Sequence, residues 1–295
     1  SVIVDLDGKV VNYNYRKQPY ERSDEYLRLL GEEVTKVVDS IQLDSSKILG
    51  VAIAVPGLVS NEDGYIFHGK VIDNYGMSRE DFSKYIPYPT RLIHDSYASV
   101  FSEMWFSEEI HNAFYISLCN SVGGAVLLND SIYMGDGLYC GEIGHLNIYP
   151  ETDKYCYCGK KGCFDIFCNA EVLSKHTDDD LGLFFDLLKK GDKEIEKVWD
   201  EYLYYLAIAI SDVRMLFGCK VIIGGYVGAY IKEYMDQLYK KVDERNPLGD
   251  KAVDYLIPCK NDIEAVAVGA ALCIIDEYLN NFTCESYSNN ILEEK

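Results

Sequence analysis

A histidine and three cysteines in one glycine-marked stretch constrain this chain more than any other feature. Gly141-Glu142-Ile143-Gly144-His145 is followed by Cys156-Tyr157-Cys158-Gly159-Lys160-Lys161-Gly162-Cys163, which offers one imidazole and three thiols to a single tetrahedral ion. Structural zinc takes four nitrogen or sulfur ligands at about 2.0–2.3 Å, and Cys-x-Cys with a third Cys five residues on meets that geometry only through a tightly folded knuckle. Gly159 and Gly162 permit such a knuckle, because glycine accepts the positive φ values that other residues resist. The stretch therefore reads as a closed zinc site of His145, Cys156, Cys158 and Cys163. A competing reading leaves these as ordinary reduced thiols beside a satisfied histidine, in a chain that carries ten cysteines. The spacing departs from Cys-x2-Cys, while the flanking glycines and the upstream histidine favour the metal.

Ten cysteines in 295 residues is far too sparse for a disulfide scaffold. No apolar segment approaches the 18 or so residues needed to span a bilayer, and no charged n-region or cleavage site opens the chain. A soluble, cytoplasmic protein with no membrane partner is expected. Aspartate and glutamate outnumber lysine and arginine 48 to 28, for a net charge of −20. Such a surface repels a phosphate backbone, so the chain by itself is not a DNA-binding module. Its length suits two domains of ordinary size.

Val2–Leu6 and Val10–Tyr13 across Asp7-Gly8 read as a β-hairpin with a two-residue turn. Tyr26, Leu27, Leu30, Val34, Val37, Val38 and Ile41 recur at helical steps. Ile48–Val55 is an unbroken apolar run ending at Pro56-Gly57, the pattern of a strand buried on both faces. A short strand at Arg91–His94 precedes a helix from about Tyr97 to Phe106. Strands are then expected at Ala113–Leu118, Gly124–Leu128 and Ser131–Tyr133, and helices at Ala170–Lys175, Leu181–Lys190 and Asp192–Phe217. Val221–Gly225 reads as a buried strand ending in a glycine pair, Val253–Ile257 as the last strand, and Glu264–Leu279 as a helix with small residues for close packing. Residues after Asn280 are expected to be a poorly ordered tail. An antiparallel start followed by alternating strands and helices, twice over, predicts two similar α/β domains with a ligand cleft between them.

Four segments of this chain resemble the ROK family (repressors, open reading frames and kinases): Val51-Ala52-Ile53-Ala54-Val55-Pro56-Gly57-Leu58-Val59, His94-Asp95, the Gly141–His145 run with its cysteines, and Ile223-Gly224-Gly225. The resemblance implies a two-domain, actin-like ATPase (ribonuclease H-like) α/β fold with an inserted zinc knuckle. Residues 1–108, joined by a C-terminal helix near 265–280, would form one domain. Residues 109–264 would form a larger one with the zinc site and dimer surface, and 281–295 the tail. It also implies a sugar or sugar-phosphate site made by His94, Asp95, Glu142, His145 and Asp165, with Asn74 as a further contact. Carboxylates and an imidazole suit vicinal hydroxyls, which donate and accept at once. One nitrogen of His145 would face zinc and the other a ligand oxygen. Asn74 reads first as a turn-former, ahead of a sugar contact. Asp95 reads also as a helix N-cap, worth about 0.5–2 kcal/mol.

In the family's kinases Asp95 would be the general base, which requires Mg-ATP held nearby. His94 stands where those kinases carry Asn, and Asp165 where they carry Glu; the His-Asp pair resembles the sugar-responsive repressors. The family's first phosphate loop, Asp-x-Gly-Gly-Thr, has no counterpart, and its second, Gly-Thr-Gly-x-Gly-Gly-Gly, reads here Cys119-Asn120-Ser121-Val122-Gly123-Gly124-Ala125. A degenerate nucleotide site would comprise Asn120, Ser121, Gly123, Gly124, Gly224 and Gly225, the last two being equally a turn. The expectation is the sensing and dimerising portion of a regulator, a homodimer that reaches DNA through a helix-turn-helix domain outside this chain. The alternative is an ATP-dependent sugar kinase. The remaining cysteines, Cys119, Cys140, Cys168, Cys219, Cys259, Cys273 and Cys284, read as buried thiols.

Overall fold

The structure, a computed structural model, describes residues 1–60, 64–260 and 265–292, with side chains to Asn280. It divides into two compact units, Ser1–Phe106 with Glu264–Lys295, and Ser107–Ile263.

The first unit opens with strands β1 (Val2–Val4) and β2 (Val10–Tyr13), paired antiparallel. The hairpin is as expected, but its connection is longer than two residues. The Asp5 carboxylate accepts the Asp7 and Lys9 amides and holds a wider turn. Helix α1 (Asp24–Asp39) starts at an N-cap, Ser23, whose hydroxyl accepts the Tyr26 amide, a bond worth about 1 kcal/mol. Strand β3 (Val51–Val55) follows, then β4 (Leu58–Val59), β5 (Ile66–His68), α2 (Arg79–Ser83), β6 (Thr90–His94) and α3 (Asp95–Trp105). The apolar run at 48–55 yields a shorter strand than its sequence predicts, and Val51–Ala54 are only half-buried. A 3-10 turn at Ser45–Lys47, capped by Asp44, uses up the approach, and β6 is its one partner among the described residues. The β3–β6 pair is parallel, with Val55 beside His94. Leu27, Val55, Ile66, Met77, Phe82 and Leu92 close a core around it.

The second unit is built on a five-stranded sheet. Strands β7 (Ala113–Leu118), β8 (Val122–Leu128) and β9 (Ser131–Tyr133) run antiparallel. Asn129 and Asp130 both take positive φ to close the second hairpin. After the cysteine loop come α4 (Asp165–Cys168), α5 (Glu171–Ser174), α6 (Leu181–Lys189) and the long α7 (Lys193–Phe217). Asp192 caps α7 at its start, accepting the Glu194 and Ile195 amides, and Gly218 ends it in the left-handed region. Strand β10 (Lys220–Gly224) then pairs parallel to β7. Helices α8 (Gly225–Ile231), α9 (Met235–Asp243) and α10 (Ala252–Tyr255) lead to β11 (Leu256–Pro258), so the sheet order is β11-β10-β7-β8-β9. The strand expected at 253–257 is thus mostly helix, because the Asp243 carboxylate takes the Ala252 amide and starts a turn there. Phe114, Ile116, Val221 and Ile223 face α7, whose Trp199, Tyr202 and Leu206 fill the core.

The chain returns to the first unit in α11 (Ala265–Leu292), where Val268, Leu272 and Ile275 pack against Val2, Val4 and Trp105. This helix does not stop near Leu279 as the polar sequence suggests. No helix of the described residues is long and apolar enough to cross a membrane.

Candidate functional site: a thiol-imidazole loop and a buried Asn-His pair

In the second unit the backbone of β8 sets the stage for the cysteine loop. Gly124 and Gly141 lie face to face, and a methyl on either would come within 2.7 Å of the other's carbonyl oxygen. Only glycine allows that approach, which lays the short 3-10 helix Ile143–His145 on the sheet. The loop then doubles back. Cys156 donates its amide to the Lys160 carbonyl, and Ile148 donates to that of Gly162, with Gly159 and Gly162 at φ +86° and +78°.

The four ligand atoms of His145, Cys156, Cys158 and Cys163 all fall within 4.8 Å of one another. His145 Nδ1 is 3.7 Å from Cys156 Sγ, and the Cys158 and Cys163 sulfurs are 3.6 Å apart. A tetrahedron with bonds of about 2.0–2.3 Å has edges of roughly 3.3–3.8 Å, so both separations fit one ion at the centre. They exclude a Cys158–Cys163 disulfide, whose sulfurs would stand about 2.05 Å apart. Burial pushes the Cys156 thiol up and the Cys163 thiol up to about 12. Cys158 alone is lowered, since the Lys160 amide and its two thiol neighbours outweigh its burial. A metal reverses that balance by taking thiolates directly. The residues fit structural zinc, which would order this loop and carry no reaction step.

Around the loop stand three residues expected to bind sugar. Glu142 precedes the 3-10 turn and is half-buried. Asp165, 3% exposed, begins α4, and one carboxylate oxygen accepts the Val122 amide at 2.7 Å. Its pKa is raised by burial, against the pull of the Val122 amide and the Asn169 side chain. His145 differs from expectation in one respect. Its Nε2 is not left open but lies 3.3 Å from the Tyr157 hydroxyl. Burial, with the Asp165 and Glu142 carboxylates nearby, pushes the Tyr157 pKa up.

The first unit holds the other three. Asn74 is fully buried (0% exposed), donates Nδ2–H to the Pro56 carbonyl at 3.1 Å, and leaves Oδ1 without a partner. His94, 7% exposed at the end of β6, stacks edge-on against Tyr97 and leaves Nδ1 unpartnered. Its Nε2 is 3.5 Å from Asp95 Oδ1. Asp95 is not the N-cap: α3 begins at Asp95 itself, His94 holds the cap position, and the Asp95 carboxylate accepts the Ser96 amide at 2.7 Å.

On the expected phosphate side, β7 and β8 are joined by Cys119–Ser121 alone, and Val122, Gly123 and Gly124 lie within β8. None of Cys119, Asn120 and Ser121 takes positive φ, and the Cys119 carbonyl is held by the Ala170 amide at 2.7 Å. The Gly224-Gly225 pair is occupied from within. A methyl on Gly224 would stand 1.9 Å from the Tyr115 hydroxyl; Gly225, at φ +81°, would place one 2.6 Å from the Leu118 amide nitrogen and 2.9 Å from Cys119 Sγ. Of the other cysteines, Cys168, Cys219 and Cys259 are buried and Cys119, Cys140 and Cys273 half-buried; the Cys284 side chain lies outside the described residues.

The ROK family model matches residues 1–277 of this chain. The protein belongs to the ROK family. It is 27% identical over 222 residues to a glucokinase of Halalkalibacterium halodurans, a match covering 67% of each chain. It is 22% identical to the xylose repressor of Bacillus subtilis, over 96% of this chain and 75% of the repressor. Among solved structures, a ROK family glucokinase from Streptomyces griseus in complex with glucose and AMPPNP aligns at a TM-score of 0.75 and 18% identity, covering 92% and 93% of the two chains. That likeness establishes the two-domain α/β fold of ROK kinases, of the actin-like, ribonuclease H-like kind. Kinases and repressors both appear among the relatives, so membership alone does not assign a ROK protein to either. Two tyrosines escaped the sequence reading. Tyr115 could have been found by register, since Ser117 pairs with Gly224 and Tyr115 lies two residues back on the same face. Tyr157, between the first two cysteines, carried no signal beyond its place in the motif.

Proposed function

We propose that this chain is the sugar-binding and dimerising portion of a ROK-family transcriptional regulator, with DNA contacted by a helix-turn-helix domain outside it. In this reading Asn74, His94, Asp95, Glu142, His145 and Asp165 recognise a sugar or sugar phosphate. Zinc held by His145, Cys156, Cys158 and Cys163 orders the loop that presents the second set. The ligand regulates by binding two states of the protein with different affinity.

One observation carries the reading: Asn74 Oδ1 and His94 Nδ1 are buried polar atoms without a partner. Each costs about 1–3 kcal/mol while unsatisfied. A sugar hydroxyl donates and accepts, so it can complete either atom. Against phosphoryl transfer stand the ordinary backbone at Cys119–Ser121 and the filled Gly224-Gly225 corner. Both weaken a cradle of backbone amides for phosphates. The kinase reading keeps one point in its favour. The Asp95 side chain is 38% exposed, which leaves a carboxylate within reach of a substrate hydroxyl.

Calorimetric titration with D-glucose, D-xylose, N-acetyl-D-glucosamine and their phosphates, beside a coupled assay with Mg-ATP, separates the two. Binding without turnover is the expected result. Turnover above roughly 1 s⁻¹ assigns a kinase instead. Failure to bind any of these ligands removes the sugar reading altogether.

A further inference from the structure

The histidine of the thiol loop is held on both sides. Nδ1 faces Cys156 Sγ at 3.7 Å, and Nε2 faces the Tyr157 hydroxyl at 3.3 Å. The tyrosine and imidazole rings meet edge to face, with centroids 5.2 Å apart and planes at 64°. Tyr157 occupies the middle of Cys156-Tyr157-Cys158, so the turn that aligns two sulfurs also aims its phenol.

Hydrogen-bond chemistry fixes the direction of this contact. An imidazole whose Nδ1 lone pair points at a metal carries its proton on Nε2. That proton can only be donated, and the phenol oxygen accepts it. The phenol's own O–H then remains to be donated elsewhere, on a residue that is 47% exposed. Metal-bound histidines commonly donate their outer N–H to a carbonyl, carboxylate or water, and such partners orient the ring. Here a phenol takes that place, and it occupies the position a sugar oxygen would need in order to touch Nε2.

We infer that Tyr157 is the positioning residue for His145 and that His145 takes part in ligand recognition through it, the Tyr157 hydroxyl accepting from Nε2 and donating its own O–H to a ligand oxygen. The metal half rests on the fit of the four ligands to zinc, and the ligand half on the sugar-binding reading above.

The test uses the full chain loaded with zinc, its Tyr157→Phe variant and a matched control, Tyr155→Phe, which removes a phenol from the same loop. Zinc affinity is read by competition with a chromophoric chelator, and sugar affinity by calorimetry with D-glucose, D-xylose and N-acetyl-D-glucosamine. Tyr157→Phe is expected to weaken zinc binding about 10-fold, as loss of such outer partners does. It should also weaken whichever sugar the unaltered chain binds by roughly 5-fold, the worth of one hydrogen bond. Tyr155→Phe is expected to change neither. Unchanged zinc affinity in Tyr157→Phe, or an equal loss in Tyr155→Phe, overturns the positioning role. Unchanged or tighter sugar binding in Tyr157→Phe overturns the ligand role. An unaltered chain that binds zinc but none of the three sugars overturns the ligand role together with the sugar reading, while the chelator competition still decides the positioning role.

Discussion

The cysteine loop and the Gly224-Gly225 corner sit in the same unit, are both marked by glycines, and could not be more differently completed. In the loop, Gly159 and Gly162 bend the chain so that four candidate ligand atoms come within 4.8 Å of one another. At the corner, the space a glycine leaves is taken by the Tyr115 hydroxyl, the Leu118 backbone and Cys119 Sγ. One set of glycines gathers groups that could hold a metal ion, the other closes a packing contact. A glycine motif therefore reports where the backbone must come close or turn; what fills the space decides whether anything is bound.

The largest effect should come from emptying the loop. Cys163→Ser, or a strong chelator on the unaltered chain, is expected to remove bound zinc and several kcal/mol of stability. Structural zinc supplies roughly 10–16 kcal/mol in small zinc-dependent peptides, and the β8 contacts retained here reduce that share. Sugar binding should disappear with the metal, because Glu142, His145 and Asp165 lose their common frame. Elemental analysis and calorimetry check both points. Full sugar affinity in zinc-free protein would refute a presenting role for the loop.

Gly225→Ala probes the other side of the comparison. A side chain at φ +81°, pressed to 2.6 Å from the Leu118 amide nitrogen, should cost about 1–3 kcal/mol in urea unfolding. The loss should be the same with and without Mg-ATP. A variant of normal stability that instead loses a measurable ATP affinity would turn this corner into a nucleotide contact.

Much of the frame was legible beforehand because hydrophobic period and caps act locally. The α7 helix, bounded by Asp192 and Gly218, and the strand Ala113–Leu118 follow from their own residues. The cluster of His145 and the three cysteines was legible for the same reason, since they are close in sequence. Failures arose where distant partners decide. The 253–257 segment is mostly helical because Asp243 reaches it, and the apolar 48–55 run is half-exposed because only β6 flanks it among the described residues. Tyr115 against Gly224, Asp165 on the Val122 amide and Tyr157 on His145 each depend on a fold already formed. For the first two, no short window of sequence around one residue contains the other; His145 and Tyr157 lie 12 residues apart, but only the folded loop brings phenol and imidazole together.

The smallest expected effect extends the comparison to the first unit, where His94 and Asn74 resemble the loop in being unfinished but differ in what would finish them. A buried amide oxygen and a buried imidazole nitrogen call for a neutral hydrogen-bonding partner, while three thiols call for a cation. His94→Leu removes the orphaned Nδ1 together with the 3.5 Å approach of Nε2 to Asp95. The unliganded protein then buries one unsatisfied group fewer, and the new side chain packs against Tyr97. Its stability should be unchanged or higher by about 1 kcal/mol, even though a buried ring has been lost. Sugar affinity should fall roughly 10-fold or more, since a buried recognition group is expensive to replace. Urea unfolding with calorimetry on the same variant reads both. A fall in stability with sugar affinity intact would mean that His94 is a packing residue whose second nitrogen simply goes without, and the kinship between the two unfinished regions would end there.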